Sequence, residues 1–502
     1  MRKNYFKIIL VSALFIFVHS ACNEDNLDLK PWQETEADFF DEEDDFDRTA
    51  RGVYAAMTNL YAYQPFNDFS TAHAMRHLPG DDITTLQNEP QEIFQTLQPG
   101  EGRVNGVWDI LYLMLSRANT LLEKVEEEEG VYTTPGLKAA HEGEALFLRG
   151  WVLFRLWNYW GTAPLITERI VTQDNIYNPS SQGTQLLDQA IQDFTDAAEL
   201  LPASWDDQNR GRATKSSANG FLGKSLVFRA SWTDSQSDYQ AAIEAFDKIN
   251  DRQLVADYRD NFYPTTENNE ESLFEYQAST PVGNENIWLQ NDFNITIGTM
   301  SAYWGWFDER GLFGRNPYVA SEKFIAAVEN TDPRVRYMIN INDNKIEKYI
   351  ENDISRPRGI ASINNPRILR YADVLLLKAE AIVQSGGDLT EAINIINDIR
   401  ERARNSGDSP SVVPADRSTS VTDQAVVMDW IMYERMVELF GEEAHRWFDL
   451  RRWHVQGEID LSNFNFSSLR DDFEFDVNTH LYYPIPNSET DLNSQVTQNP
   501  GY

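Results

Sequence analysis

Residues 430–453 read WIMYERMVELFGEEAHRWFDLRRW, and the fold is decided by how this stretch is read. The large apolar residues Trp430, Tyr433, Val437, Phe440, Ala444 and Trp447 follow one another at steps of three and four, which places all six on one face of a helix. That face has to be buried, and its aromatic members are bulky enough to close a sizeable core. Glu434, Arg435, Glu438, Glu442, Glu443 and Arg446 fall mostly on the other sides. A core-closing helix is the plain reading, and by itself it reveals no function.

Upstream, the same periodicity recurs in pairs. Stretches 108–125 and 137–159 read as one pair, the second ending at Gly161 and Pro164. Stretch 182–200, stopped by Pro202, precedes 214–230 and 239–249, and 369–384 is separated from 390–403 by Gly386 and Gly387. An earlier helix is expected over 48–61, from Val53, Met57, Leu60 and Tyr61. Helix pairs joined by short turns predict a mainly α fold, an α-solenoid in which each pair covers its neighbour's apolar face. No tetratricopeptide phrase recurs at its period, so the repetition rests on the pairing alone. Two regions break the rhythm. Between 62 and 104 the chain is punctuated by Pro65, Pro79, Gly80, Pro90, Pro99, Gly100 and Gly102. Between 262 and 366 it carries Trp288, Tyr303, Trp304, Trp306, Phe307, Phe313 and Tyr318 among Gly298, Gly305, Gly311 and Gly314. Loop-rich insertions of this length usually carry function, and the two are expected to meet on one side of the helical stack.

Composition sets limits on partners. With 43 basic and 79 acidic residues, a net charge of −36 repels nucleic-acid phosphates and anionic lipid surfaces, so neutral or cationic ligands are the natural partners. The single cysteine, Cys22, rules out a disulfide framework within the chain and a cysteine-ligated zinc site. Its position is informative. Arg2, Lys3 and Lys7 precede an apolar run from Ile8 to Val18, and Ser20 and Ala21 lead into Cys22; this is the build of a signal peptide, too short for a transmembrane span. A cysteine directly behind such a segment looks like the lipid acceptor of a bacterial lipoprotein. The acidic leader after it, with Glu24, Asp25 and Asp28, reads as a flexible tether.

Several phrases of this chain, in order, resemble the SusD/RagB family of outer-membrane nutrient-binding lipoproteins. They are Asp38-Phe39-Phe40 with Arg51-Gly52-Val53-Tyr54; the stretch from Gly143 to Arg149, leading to Trp160-Gly161-Thr162-Ala163-Pro164-Leu165; Gly211-Arg212-Ala213-Thr214-Lys215; the stretch from Arg370 to Ala381; 434–453; and the tail Tyr483-Pro484-Ile485-Pro486 with Gln498-Asn499-Pro500-Gly501-Tyr502. The resemblance implies a tetratricopeptide-like scaffold whose loops bind an oligosaccharide or similar nutrient beside a TonB-dependent (SusC-like) outer-membrane transporter. It also implies that the acidic leader serves export, leaving the protein lipid-anchored at Cys22 and facing outside. The expected organisation is a signal peptide over 1–21, a tether over 22–38 and a SusD-like domain over 39–502. Within that domain, helical pairs occupy about 39–61, 105–260 and 367–455, loop-rich binding regions about 62–104 and 262–366, and a tail 456–502. The shared phrases are framework: Arg149, Arg370, Asp373, Glu380, Glu434, Arg435 and Asp449 are expected to cap helices or pair across them.

No enzymatic constellation is legible. His141-Glu142 lacks the second histidine of a zinc-protease helix, since Ala145 stands there, and Gly223-Lys224-Ser225 fails as a nucleophile elbow because Val227 replaces the closing glycine. No cofactor and no metal is expected. Two alternatives stay open: a lipid-anchored glycoside hydrolase, which needs only two carboxylates at a fixed separation, and a ligand-free interaction scaffold. The ligand surface is expected from Trp288, Tyr303, Trp304, Trp306 and Phe307, with Arg76, Asp81 and Asp82 from the earlier region. Sugars offer flat C–H faces ringed by hydroxyls, which call for exposed rings and for charged groups at the rim. Extended-chain alternation turns Trp304 and Trp306 to one side of the strand and Tyr303 and Phe307 to the other. Asp81 and Asp82 suit equally well the capping of the turn after Gly80.

Overall fold

The stretch 430–453 forms two helices rather than one. The first, Gln424–Glu438, starts at Asp423, whose carboxylate accepts from the Ala425 N–H at 3.0 Å, and the second spans His445–Gln456. Between them Gly441, Glu443 and Ala444 all take positive φ (68°, 37° and 61°), which no right-handed helix passes through. Glu443 and Ala444 pay a steric cost there of roughly 1 kcal/mol each. The conformation is held by the Glu443 carboxylate, which pairs with Arg155 and accepts the Tyr61 hydroxyl at 3.0 Å. The apolar stripe survives the break, with Val437, Phe440, Ala444 and Trp447 buried and Trp430 and Tyr433 half-buried. The charged residues on the other sides are buried as well: Glu434, Arg435, Glu438, Glu442 and Glu443.

The computed structural model describes residues 39–61, 72–85, 97–172, 175–278, 318–329, 331–349, 364–464 and 475–502. Its helices in chain order are α1 (Glu43–Ala56), α2 (Thr58–Tyr61), α3 (Ala72–His77), α4 (Gly102–Glu127), α5 (Leu137–Trp160), α6 (Gln185–Leu200), α7 (Lys215–Thr233) and α8 (Gln236–Asp247). There follow α9 (Glu322–Ala327), α10 (Val335–Met338), α11 (Tyr371–Gln384), α12 (Leu389–Asn405), α13 (Gln424–Glu438), α14 (His445–Gln456) and α15 (Asn487–Leu492). The strands are β1 (Ile83–Thr85), β2 (Ser272–Glu275), β3 (Tyr318–Ala320) and β4 (Arg367–Arg370). The long helices stand close to the expected stretches; the helix read over 48–61 starts earlier and breaks at Met57.

From α4 on, each long helix packs on the next: α4 on α5, α5 on α6, α6 on α7 and α7 on α8. The series then jumps to α11, which packs on α8, α12 and α13. This is a tetratricopeptide-like helical scaffold, and α14 folds back from its far end against α7 and α3. Residues 46–502 make one compact unit. Two short antiparallel ladders, β1–β3 and β2–β4, join distant parts of it. Strand β4 occupies the start of the stretch read as helix 369–384, because its partner β2 lies far back in sequence, where periodicity gives no warning.

The framework charges pair across helices. In one buried knot Arg334, Lys348, Arg370, Arg400 and Arg402 face Glu271, Asp332, Glu434, Glu438 and Glu442, the best-formed bonds being Arg334 to Glu434 at 2.6 Å and Arg370 to both oxygens of Glu442 at 2.8 Å. In a second, Lys224, Arg435 and Arg452 face Asp373, Glu380 and Asp449. Arg149 grips Asp193 with two bonds, at 2.9 and 2.7 Å. Each knot balances its charges, as burial demands: an unpartnered charge inside a protein costs several kcal/mol.

Candidate functional site

Within residues 46–502, one region gathers the ends of the segments that interrupt the helical rhythm. Its keystone is the turn Gly80-Asp81-Asp82, which leads from α3 into β1. Arg446, on α14, bonds both carboxylate oxygens of Asp81, and the Lys323 ammonium reaches it at 2.6 Å from α9. Ser321 adds two bonds, from its hydroxyl to the Asp81 carbonyl (2.6 Å) and from its N–H to the Asp82 carbonyl (2.8 Å). Strand β1 then pairs with β3, setting Ile83 opposite Ala320, Thr84 opposite Val319 and Thr85 opposite Tyr318. Thr85 is the last described residue before segment 86–96, and Tyr318 the first after segment 279–317. The two irregular regions of the sequence are thus stitched together at their bases.

The other boundaries lie close by. Tyr61, which precedes segment 62–71, stacks on Tyr276 with centroids 5.0 Å apart and planes at 15°. The Ala278 N–H donates to Asn365 Oδ1 at 2.7 Å, and Asn364 Nδ2 donates to the Tyr349 carbonyl at 3.2 Å, so the residues bordering segment 350–363 meet each other and, through Asn365, the residue preceding 279–317. The Ile346 N–H donates to the Tyr318 carbonyl at 3.4 Å. Phe464, ahead of segment 465–474, receives the Lys323 ammonium 3.5 Å above its ring.

Arg76, Asp81 and Asp82, expected on the ligand surface, lie within this base with 3%, 1% and 3% of their surface exposed. Arg76 donates to the Leu60 carbonyl at 2.9 Å and lies 4.3 Å over the Tyr61 ring, which braces the Tyr61–Tyr276 stack. Burial opposes ionisation of Asp81, but Arg446 and then Lys323 hold its carboxyl below the usual range. Asp82 is the opposite case: burial, and next the neighbouring Asp81 charge, push it up to about 7. Trp288, Tyr303, Trp304, Trp306, Phe307 and the lipidation candidate Cys22 lie outside the described residues. The sequence reading missed Arg446, Lys323, Ser321 and the Tyr61–Tyr276 stack. Arg446 belonged to the stretch read as a single helix, and nothing in a string of letters joins it to Asp81, 365 residues away. Among the described residues no group of three or more His, Cys, Asp or Glu is placed to hold a metal ion, and no helix is long and apolar enough to cross a membrane.

A helical-repeat scaffold in which the described residues bordering the irregular segments share one pinned base defines a tetratricopeptide-like framework protein. Comparison with known proteins places it further: the chain belongs to the SusD family, whose model matches residues 228–502, while a model described as starch-binding, associating with outer membrane, matches residues 25–226. A SusD-like protein of Formosa agariphila is 28% identical over 405 residues, covering 70% of this chain and 73% of that one. A SusD-like protein of Bacteroides ovatus is 23% identical over 480 residues, covering 89% and 82%. Among solved structures, a SusD homolog from Bacteroides thetaiotaomicron superposes with a TM-score of 0.74 at 23% identity, over 93% of this chain and 99% of that one. A protein described as laminarin-binding and SusD-like superposes with a TM-score of 0.70 at 21% identity, over 92% and 100%.

Proposed function

We propose that this chain is an outer-membrane lipoprotein, anchored through Cys22 and facing outside, that binds a neutral oligosaccharide and delivers it to a partner TonB-dependent transporter. The observation that carries the proposal is the convergence of segment ends on one base, built from Asp81, Arg446, Lys323, the β1–β3 ladder and the Tyr61–Tyr276 stack. Such a base fixes where the bordering chain leaves and re-enters the scaffold, and fixed anchor points reduce the entropic cost of binding. Trp288, Tyr303, Trp304, Trp306 and Phe307 supply the rings for sugar faces, and Arg76, Asp81 and Asp82, buried in the base, act through the scaffold and not by touching ligand. Family membership, the outer-membrane description of the N-terminal match and the laminarin-binding relative support a glycan as ligand. The net charge of −36 favours a neutral one.

Binding without cleavage is favoured over hydrolysis by the descriptions of the matches, starch-binding and laminarin-binding. A general acid or nucleophile has to meet the glycosidic bond. The deeply buried acids Glu271, Glu434, Glu438, Glu442, Asp373 and Glu380 are instead held by arginine and lysine. Native electrophoresis in gels cast with laminarin or starch tests the reading: the chain is expected to be retarded by at least one polymer and to release no reducing ends on long incubation. Free migration in both gels, or released sugar, refutes it. Extraction of tagged protein from native membranes in mild detergent is expected to recover a large β-barrel partner; recovery as a lone chain from membranes containing that transporter refutes the delivery role.

A further inference from the structure

We infer that His445 is a proton-sensitive latch for the base: its neutral imidazole holds the first turn of α14 closed, and with it the Arg446–Asp81 pin, and acidification favours release of both. This control acts on the base from the framework side and holds whatever ligand the site takes. Geometry fixes the state of the ring. Lys224, on α7, stands 2.7 Å from the Asp373 carboxylate and is therefore an ammonium, with protons only to give. It reaches His445 Nδ1 at 3.2 Å, so Nδ1 presents its lone pair and the imidazole is neutral. A proton on Nδ1 would break that bond and set two cations against each other. The surroundings offer it no spare counter-charge. Asp373, on α11 and 3.8 Å from Nδ1, already serves Lys224 and, at 2.9 Å, Arg435 of α13, which also bonds Asp449 of α14 at 2.7 Å. Lys224, Arg435 and Arg452 are matched by Asp373, Glu380 and Asp449, three against three, in a knot where His445 is 4% exposed. Arg370, on β4, adds positive charge, while Glu442 and Glu443 of the preceding turn are engaged by Arg370 with Lys348 and by Arg155. A charged His445 would be a fourth cation in this knot and would stand at the positive end of a helix, unfavourable on both counts.

The latch sits at a weak point of the framework. Helix α14 starts behind Ala444, which has no side chain to cap it, and behind a turn in which Gly441, Glu443 and Ala444 take positive φ. Its first bonds run from the His445 N–H to the Glu442 carbonyl and from the Phe448 N–H to the Ala444 carbonyl, both at 3.1 Å. Opening this turn brings His445 to water and, since Arg446 is the next residue, takes Arg446 off Asp81. Burial and then Lys224 hold the closed imidazole well below its ordinary 6.5, so the ring takes up a proton in the opened state in preference to the closed one. The closed state therefore has its full stability above pH 6.5 and loses it as pH falls from there. Between pH 7 and pH 5 the opening equilibrium rises by about 25-fold.

Amide hydrogen exchange of the intact chain, with exposure times corrected for pH, tests this against His445→Asn, whose side-chain oxygen can take the Lys224 bond and cannot titrate. His445→Gln stands in if the first variant melts below wild type at pH 7. Asp82 titrates in the same range with the opposite sign but does so in both proteins, so the readout is the ratio of their protection. From pH 7 to pH 5 that ratio, wild type over variant, is expected to fall about 25-fold in the peptide covering 444–450. It should fall with it in 318–324, where Ser321 and Lys323 bond Asp81 and Asp82, and stay constant in 145–155 of α5. An unchanged ratio in 444–450 overturns the latch. A fall there without one in 318–324 overturns its link to the base, and an equal fall in 145–155 makes His445 a contributor to global stability alone and overturns the inference as well.

Discussion

Glu438→Gln is the sharpest perturbation of the framework. The Glu438 carboxylate is fully buried and accepts from Arg334 at 2.9 Å, Arg370 at 3.1 Å and Arg402. Glutamine keeps the shape and removes the charge, leaving three guanidiniums around a neutral amide whose NH₂ faces donors. Breaking a buried pair in this way costs about 3–5 kcal/mol. Unfolding entropy of about 2.1 cal/mol/K per residue, over a unit of roughly 450 residues, amounts to about 1 kcal/mol/K, so the melting temperature should fall by about 3–5 °C. The pH dependence follows from the direction of its ionisation. Burial opposes the charge, but Arg402, Arg370 and Arg334 together hold the carboxyl below its ordinary 4.5. Its contribution is therefore complete above pH 4.5 and is lost as pH falls from there through the lower folded value. Calorimetric melting of both proteins from pH 7 down to pH 3 checks this: the gap should be widest at neutral pH and narrow on acidification. A variant melting within about 1 °C of wild type at pH 7, or a gap indifferent to pH, refutes the role assigned to the knot.

Asp82→Asn should act in the opposite sense. Because Asp82 is raised to about 7, its contribution is fully present below pH 3.8 and is lost as pH rises through 7, so the variant should melt about 2–4 °C above wild type at pH 8 and level with it near pH 3.8; equal melting at pH 8 counts against the buried-acid description. Asp81→Asn removes the partner of Arg446 and Lys323 and should lower both melting temperature, by about 3–5 °C, and glycan affinity; loss of stability with full affinity would separate this base from binding. Cys22→Ser should move the protein from the outer-membrane to the soluble fraction, because an acylated cysteine supplies about 0.8 kcal/mol per buried CH₂; continued sedimentation with membranes contradicts the anchor.

Periodicity disclosed the scaffold because burying one helical face writes a 3.6-residue rhythm that survives in the letters: 137–159 became α5 and 390–403 became α12 within a few residues. The break inside 430–453 did not show, since Val437, Phe440, Ala444 and Trp447 keep helical spacing across it, and Ala444 and Glu443 are not residues that announce positive φ. That framework charges such as Arg370 and Glu434 pair was expected from the resemblance; their partners were not legible, because only the third dimension joins an acid such as Glu438 on α13 to a base such as Arg402 on α12. At the site, the meeting of the two irregular regions was foreseeable from their exclusion from the helical stack. The pins were not, since Asp81–Arg446 and Thr85–Tyr318 join residues hundreds of positions apart.

On this account ligand affinity depends on Trp304 and Trp306 and not on the helical framework. Titration calorimetry of the intact chain and of Trp304→Ala and Trp306→Ala, with fragments of whichever polymer retards the wild type, tests it most directly. Each stacked ring should contribute on the order of 1 kcal/mol through covered apolar surface, so at least one of the two variants should lose about fivefold in affinity at an unchanged melting temperature. Unchanged affinity with unchanged melting in both variants would remove these tryptophans from the ligand surface, and a large fall in melting temperature would return them to the core.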